Sequence, residues 1–131
     1  MIGVDTNVLV RYLVKDDKRQ AEKVSAWVRD MRRRGEALVL SHIVLCELVW
    51  VLESAYDFPK SSILQAVERL LGTKQFYIDH KDDVWAALDE YRNGKGDFAD
   101  YLIGRSNHTM GCQYTVTFDQ DLKGAKSFHL L

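Results

Sequence analysis

Five acidic residues stand at positions where a carboxylate could do chemistry: Asp5, Glu47, Asp97, Asp100 and Asp119. Carboxylates that converge without basic partners repel one another, and divalent cations relieve that repulsion. Ligands that are all oxygens favour Mg²⁺ or Mn²⁺ over zinc. The two cysteines and the four histidines show no metal-ligand spacing, so the acids are the candidates for a metal site.

Two of these acids follow predicted strands. Asp5 comes after the apolar residues 2–4, and Asp119 follows residues 114–117. In open α/β sheets, chemistry gathers beyond the carboxyl ends of the strands. Both residues also have an ordinary alternative, because Asp5 could cap a helix that begins near Asn7, and Asp119 could be a turn aspartate.

Glu47 lies in a predicted helix, residues 42–55, that is apolar around most of its circumference. At 100° per residue it projects between Ile43 and Val51, which predicts a buried position, whereas Glu53 falls on the solvent side. A buried carboxylate costs several kcal/mol unless a cation or hydrogen-bond donors meet it. The helix contains no lysine or arginine, so a metal ion would fill that role.

Asp97 and Asp100 stand three residues apart at the start of a predicted helix. They could be a local capping pair, with Asp97 as the N-cap and Asp100 at the third helical position. That alternative is weaker for Asp100, because Ala99, Leu102 and Ile103 predict that the helix is buried nearby.

The elements that must position these acids alternate between short apolar strands and helices with apolar residues at helical spacing. Predicted strands span residues 2–4, 37–40, 76–78, 114–117 and 128–130, and predicted helices span residues 16–34, 42–55, 60–71, 81–92 and 97–109. Strands separated by helices imply a parallel sheet with helices on both faces. This arrangement would put Asp5 and Asp119 at one sheet edge, where the helices bearing Glu47 and Asp100 also begin.

The composition predicts a single domain, residues 1–131, with 47% apolar residues, 28% charged residues and a net charge of −1. No stretch approaches the roughly 20 apolar residues that span a bilayer, and no basic segment precedes the first apolar run, as a secretion signal requires. Cys46 and Cys112 are predicted to be reduced. We therefore expect a cytoplasmic protein that does not associate with membranes.

A basic cluster, Arg29, Arg32, Arg33 and Arg34, closes the second predicted helix. It could hold phosphates. The alternative is a solvated helix end whose cations complement the helix dipole.

Four motifs together make the sequence resemble the PIN-domain nucleases, and within them the VapC-type toxins of toxin–antitoxin pairs. The first two motifs are Val4-Asp5-Thr6-Asn7 and Cys46-Glu47-Leu48, the latter preceded by Ser41. The other two are Asp97-Phe98-Ala99-Asp100-Tyr101-Leu102-Ile103 and Thr115-Val116-Thr117-Phe118-Asp119. They occur in the family's order and spacing and cover essentially the whole chain.

The resemblance implies an α/β fold, a three-layer α/β/α sandwich with a central parallel sheet of four to five strands. Asp5, Glu47 and Asp100 would be the core metal ligands, Asp119 a more variable fourth acid, and Asp97 either a ligand or only a cap. Polar groups beside the ligands or facing the phosphate would be Thr6, Asn7 and Thr117.

The resemblance also implies an activity and partners. The protein would cleave single-stranded regions of RNA by metal-activated water, with Mg²⁺ or Mn²⁺, leaving a 5′ phosphate and a 3′ hydroxyl. It would form a homodimer, or a higher assembly with a cognate antitoxin whose tail fills the site.

Two other functions remain open at this point. A phosphatase or phospho-acceptor α/β domain also places an aspartate at a strand end, but a dehalogenase-like phosphatase needs a second acid two residues later, where this chain has Asn7. A receiver domain needs an acid pair before its acceptor and a late lysine, and neither can be placed at the required position in this sequence. A non-catalytic PIN-like RNA-binding module typically loses acids that this sequence retains.

Overall fold

Helices and short parallel strands alternate along the chain in the computed structural model, which describes residues 1–131. The chain divides into two compact units, Met1–Asp79 and His80–Leu131. None of the helices is long and apolar enough to cross a membrane.

The first unit contains a parallel sheet of three strands and four helices. In chain order these are β1 (Ile2–Gly3), α1 (Thr6–Leu13), α2 (Lys18–Arg33), β2 (Leu38–Val39), α3 (His42–Ser54), α4 (Lys60–Leu71) and β3 (Phe76–Tyr77). The strand order is β1-β2-β3, with Leu38 beside both Ile2 and Phe76. Leu38 and Leu40 are fully buried, so the middle strand lies in the core.

Side-chain caps begin α2 and α3. Asp17 accepts a hydrogen bond from the Gln20 N–H over 3.0 Å at the start of α2. Ser41 accepts one from the Val44 N–H over 3.2 Å at the start of α3. Such caps satisfy backbone donors that have no partner within the helix.

The second unit contains two helices and a two-stranded parallel sheet. Its elements are α5 (Lys81–Asn93), α6 (Phe98–Thr109), β4 (Thr115–Thr117), a 3₁₀ turn (Gln120–Leu122) and β5 (Phe128–Leu130). Helix α5 packs on α6 through the edge-to-face rings of Tyr91 and Phe98, whose centroids are 6.1 Å apart. An ion pair between Arg105 and Glu90 joins the same two helices.

The predicted α/β class with parallel strands is confirmed, and every predicted element is present with its ends within two residues of the prediction. Hydrogen bonds join the five strands as two sheets, of three and two strands, where one sheet of four to five was predicted. Apolar runs identify strands, but the partner of each ladder depends on tertiary packing. The single domain over residues 1–131 stays a prediction.

The structure also shows the state of the two cysteines and the surroundings of the basic cluster at the end of α2. Cys46 is half-buried, Cys112 is exposed, and no disulfide joins them. At the end of α2, Arg33 and Arg34 each pair with Asp30 over 3.1 Å. This pairing matches the solvated helix end better than a phosphate site.

Candidate active site

Asp5 occupies the turn between β1 and α1. As the N-cap of α1 it accepts a hydrogen bond through Oδ1 from the Thr6 N–H over 2.8 Å. The alternative prediction, that Asp5 caps a helix, is therefore confirmed. The residue is nevertheless exposed, so a cap alone does not occupy all of its oxygen lone pairs.

Thr6 connects Asp5 to Glu47. It is the one buried polar residue of the protein, with 9% of its surface exposed. Its hydroxyl donates a hydrogen bond to Glu47 Oε1 over 2.9 Å, while its backbone N–H is held by Asp5. One threonine thus anchors two carboxylates that are 42 residues apart in the sequence.

The predicted burial of Glu47 is wrong. Glu47 is exposed, and Ile43 and Trp50 on the same face of α3 are 72% and 67% exposed. The buried face of α3 consists of Leu45, Leu48, Val49 and Leu52. Because α3 is apolar on nearly all sides, its sequence pattern could not show which face the rest of the fold covers.

Asp97 and Asp100 form a local pair at the start of α6. Asp97 is the N-cap, and its backbone N–H donates a hydrogen bond to Asp100 Oδ2 over 3.2 Å. Asp100 is half-buried, as its position beside buried Leu102 predicts. Ile103, however, is 50% exposed, so the predicted burial of that side chain is wrong.

Asp119 follows β4 and begins the 3₁₀ turn. Its Oδ1 accepts a hydrogen bond from the Asp121 N–H over 2.9 Å, and its own N–H donates to Thr117 Oγ1 over 3.0 Å. Asp119 is therefore a turn aspartate by local geometry. Thr117 fixes the backbone on which the Asp119 carboxylate stands.

Three acids of the second unit interact electrostatically. Burial raises the pKa of Asp100, the hydrogen bond from the Asp97 backbone lowers it, and the negative charges of Asp97 and Asp119 raise it further. The net shift is upward.

The structure brings the predicted site residues together in two sets. Asp5, Thr6 and Glu47 lie together in the first unit, with Asn7 exposed in the first turn of α1. Asp97, Asp100 and Asp119 interact in the second unit, with Thr117 beside Asp119. No three Asp, Glu, His or Cys side chains are grouped so that they could hold a metal ion.

The chemistry of these donors fits a hard divalent cation. None of the five acids forms an ion pair with a lysine, an arginine or a histidine. Their carboxylate oxygens are the ligand type that Mg²⁺ and Mn²⁺ prefer. The acids are thus charged groups without cationic partners, as the sequence predicts.

A cavity of about 540 Å³ in the second unit was not identified from the sequence. Tyr101 lines it together with lysines from two loops, Lys95 and Lys123. The one available signal was the glycine-rich loop, residues 93–96, immediately before Asp97.

Comparison with known proteins agrees with the resemblance of the motifs. The model of the PIN domain family matches residues 2–126, so the chain belongs to the PIN domain family. It is also similar to a "VapC ribonuclease" of Aquifex aeolicus (strain VF5), with 28% identity over 120 residues. That alignment covers 92% of this chain and 88% of the relative.

Proposed function

We propose that the protein is a metal-dependent endoribonuclease that cleaves single-stranded regions of RNA and acts as the toxin of a toxin–antitoxin pair. The observation that carries this proposal is the arrangement at Thr6, which anchors Asp5 and Glu47 while both carboxylates stay exposed. Membership of the PIN domain family and the similarity to a ribonuclease support it.

The proposed metal ligands are Asp5, Glu47, Asp100 and Asp119, with Asp97 either a fifth ligand or only the cap of α6. The proposed ion is Mg²⁺ or Mn²⁺, because all of these donors are oxygens. When bound, such an ion supplies positive charge to the phosphate and lowers the pKa of a water molecule.

Two threonines of the protein would position the metal-binding carboxylates for the reaction. Thr6 holds the orientation of Glu47, and Thr117 supports the backbone of Asp119. Water would be the attacking group, because the site residues include no side chain arranged as a covalent nucleophile. Attack on phosphorus with departure of the 3′ oxygen leaves a 5′ phosphate and a 3′ hydroxyl.

Cleavage of a labelled single-stranded RNA tests this function. Wild-type protein should cleave with Mg²⁺ or Mn²⁺ and stop in excess EDTA, and Glu47→Gln should be inactive. The matched control is Glu22→Gln, an exposed glutamate of α2, which should cleave like wild type. Undiminished cleavage in EDTA would contradict the metal mechanism.

The same preparation distinguishes the other functions. A phosphatase would hydrolyse p-nitrophenyl phosphate and leave internal phosphodiester bonds intact. A non-catalytic module would bind RNA without producing fragments under any metal condition. Fragments ending in a 5′ phosphate support the nuclease.

The proposed partners are a cognate antitoxin and a second copy of the chain. The proposed homodimer surface includes Ile43 and Trp50, which are 72% and 67% exposed on one face of α3, since exposed apolar patches mark interaction sites. Light scattering coupled to gel filtration should give twice the mass of the chain, and Trp50→Ser should shift the protein toward monomer. Monomeric wild type at all concentrations would contradict the dimer.

The toxin role has its own test. Induced expression should arrest growth in cells, and co-expression of the short DNA-binding protein expected in the neighbouring reading frame should restore it. Growth unaffected by active enzyme would contradict that role and leave the nuclease activity standing. The cytoplasmic location stays a prediction.

A further inference from the structure

The cavity of the second unit is built by a close approach between a loop and a tyrosine. A Cβ on Gly94 would lie 2.0 Å from Tyr101 Oη, and a Cβ on Gly96 would lie 2.5 Å from Leu122 Cδ2. Only glycine lets the loop approach this closely. The cavity wall is therefore a packed surface, and its volume of about 540 Å³ lies in the range of small-molecule sites.

Tyr101 presents a donor in this cavity. The residue is only 4% exposed, and its phenol oxygen accepts a hydrogen bond from the Gly96 N–H over 3.0 Å. A phenol both accepts and donates, and no acceptor in the protein takes the Tyr101 hydroxyl hydrogen. A bound group with an oxygen acceptor would satisfy it.

Two lysines of the cavity lining attract an anion, and one aspartate repels it. Lys95 and Lys123 are exposed, and neither has an acidic partner. Glu90 is neutralised by its ion pair with Arg105. Asp121 is the one carboxylate of the lining without a cation, so the lining residues counted together with Arg105 have a net positive charge of one.

The position of the cavity connects it to the proposed reaction. Lys95 precedes Asp97 by two residues, and Lys123 follows Asp119 by four. The two lysines therefore stand on the loops that carry two of the proposed metal-binding acids.

We propose that this cavity binds one nucleotide of the single-stranded RNA substrate beside the cleaved bond. Lys95 and Lys123 hold its phosphate, and the Tyr101 hydroxyl donates to a phosphate or sugar oxygen. The proposal rests on the proposed nuclease function and adds a substrate-positioning surface to it. Because these contacts reach the backbone rather than base edges, binding here is independent of sequence.

RNA binding and its salt dependence provide the test. The parent is full-length Glu47→Gln, which should not cut, titrated with a short fluorescein-labelled single-stranded RNA while anisotropy is recorded. Lys95→Ala and Lys123→Ala should each weaken binding, and each should reduce the slope of log K against log salt by about 0.7, the value for one phosphate contact on a single strand. Lys126→Ala, an exposed lysine outside the cavity, should match the parent.

Two further variants check the sign of charge and the role of the hydroxyl. Asp121→Asn removes the opposing carboxylate and should tighten binding. Tyr101→Phe should weaken binding without changing the salt slope, because it removes a hydrogen bond and no charge. The melting temperature of Tyr101→Phe shows whether this variant stays folded. If it does not, Lys95→Ala and Lys123→Ala alone decide whether the cavity binds RNA.

The outcomes separate this inference from the proposed function. If wild type cleaves RNA but Lys95→Ala and Lys123→Ala keep the parent's affinity and slope, the cavity is not a nucleotide site and the nuclease stands. If the lysines govern binding but wild type never cleaves, the cavity is an RNA-binding site but not a substrate site, and the nuclease function is overturned. If the parent does not bind RNA and wild type does not cleave it, both are overturned.

Discussion

The hydroxyl of Thr6 donates to Glu47 Oε1 over 2.9 Å and so connects the first turn of α1 to the middle of α3. The same residue gives its N–H to Asp5. Because Thr6 is buried, packing restricts its rotamer. Its hydroxyl therefore orients the Glu47 carboxylate, and its backbone N–H orients the Asp5 carboxylate. Thr6 is thus a positioning residue for the proposed metal site.

Thr6→Val tests this role, because valine keeps the shape and removes the hydroxyl. We expect RNA cleavage or apparent metal affinity to fall roughly 10- to 100-fold, as when a group that orients a metal ligand is lost. Thr6→Ser retains the donor and should restore most of the activity. Mg²⁺ titration of the cleavage rate measures both variants, and a valine variant equal to wild type would refute the role.

The five acids should differ in their effect on cleavage. Asp5→Asn, Glu47→Gln and Asp100→Asn should each reduce the rate by orders of magnitude with the fold intact, and Asp119→Asn should do less. Asp97→Asn should do least if Asp97 mainly caps α6, and even a complete loss of that cap would cost only about 1 kcal/mol. Cleavage rates and melting curves on the same preparations test this order, which fails if Asp97→Asn is the most damaging.

The raised pKa of Asp100 predicts how metal-free stability depends on pH. The folded protein holds the Asp100 proton more tightly than the unfolded chain does, since the pKa lies above its ordinary value of 3.8. The free energy of unfolding that the Asp100 proton contributes is therefore fully present below pH 3.8. It is lost as the pH rises through the raised pKa of the folded protein. Asp100→Asn should flatten this part of the profile in chelator.

At neutral pH the same variant should melt at or above wild type in chelator, because it removes a carboxylate that burial and two negative neighbours disfavour. Asparagine can still accept the hydrogen bond from Asp97. Added Mg²⁺ should raise the melting temperature of wild type more than that of Asp100→Asn. A clear loss of stability in chelator would show that the Asp100 charge is structurally required.

Gly94→Ala should destabilise the second unit. The added Cβ would lie 2.0 Å from Tyr101 Oη and 2.9 Å from the backbone oxygen of Glu90, and the backbone oxygen cannot move cheaply. Overpacking of this kind costs about 1–3 kcal/mol. Gly3→Ala is the matched control, because a Cβ there meets nothing within 4 Å. Equal melting temperatures for the two variants would contradict the packing at Tyr101.

The sequence by itself determined the elements and their chemistry. Apolar spacing, the capping residue Ser41 and glycine at helix ends are local signals, so the five strands and five of the six helices could be predicted to within two residues. Helix α1 was considered only as the helix that Asp5 could cap. The four acid-bearing motifs were enough to indicate the PIN domain family, to which the chain belongs. Residue type also determines the preference for hard cations, since a carboxylate is an oxygen donor wherever it lies.

Only the tertiary structure decided which faces are covered and which groups meet. Helix α3 is apolar on nearly every side, so its pattern could not show that Glu47, Ile43 and Trp50 share an exposed face. The Thr6–Glu47 hydrogen bond and the cavity at Tyr101 bring together residues from separate elements. Local spacing carries no record of such contacts, because they depend on how each element packs against the others.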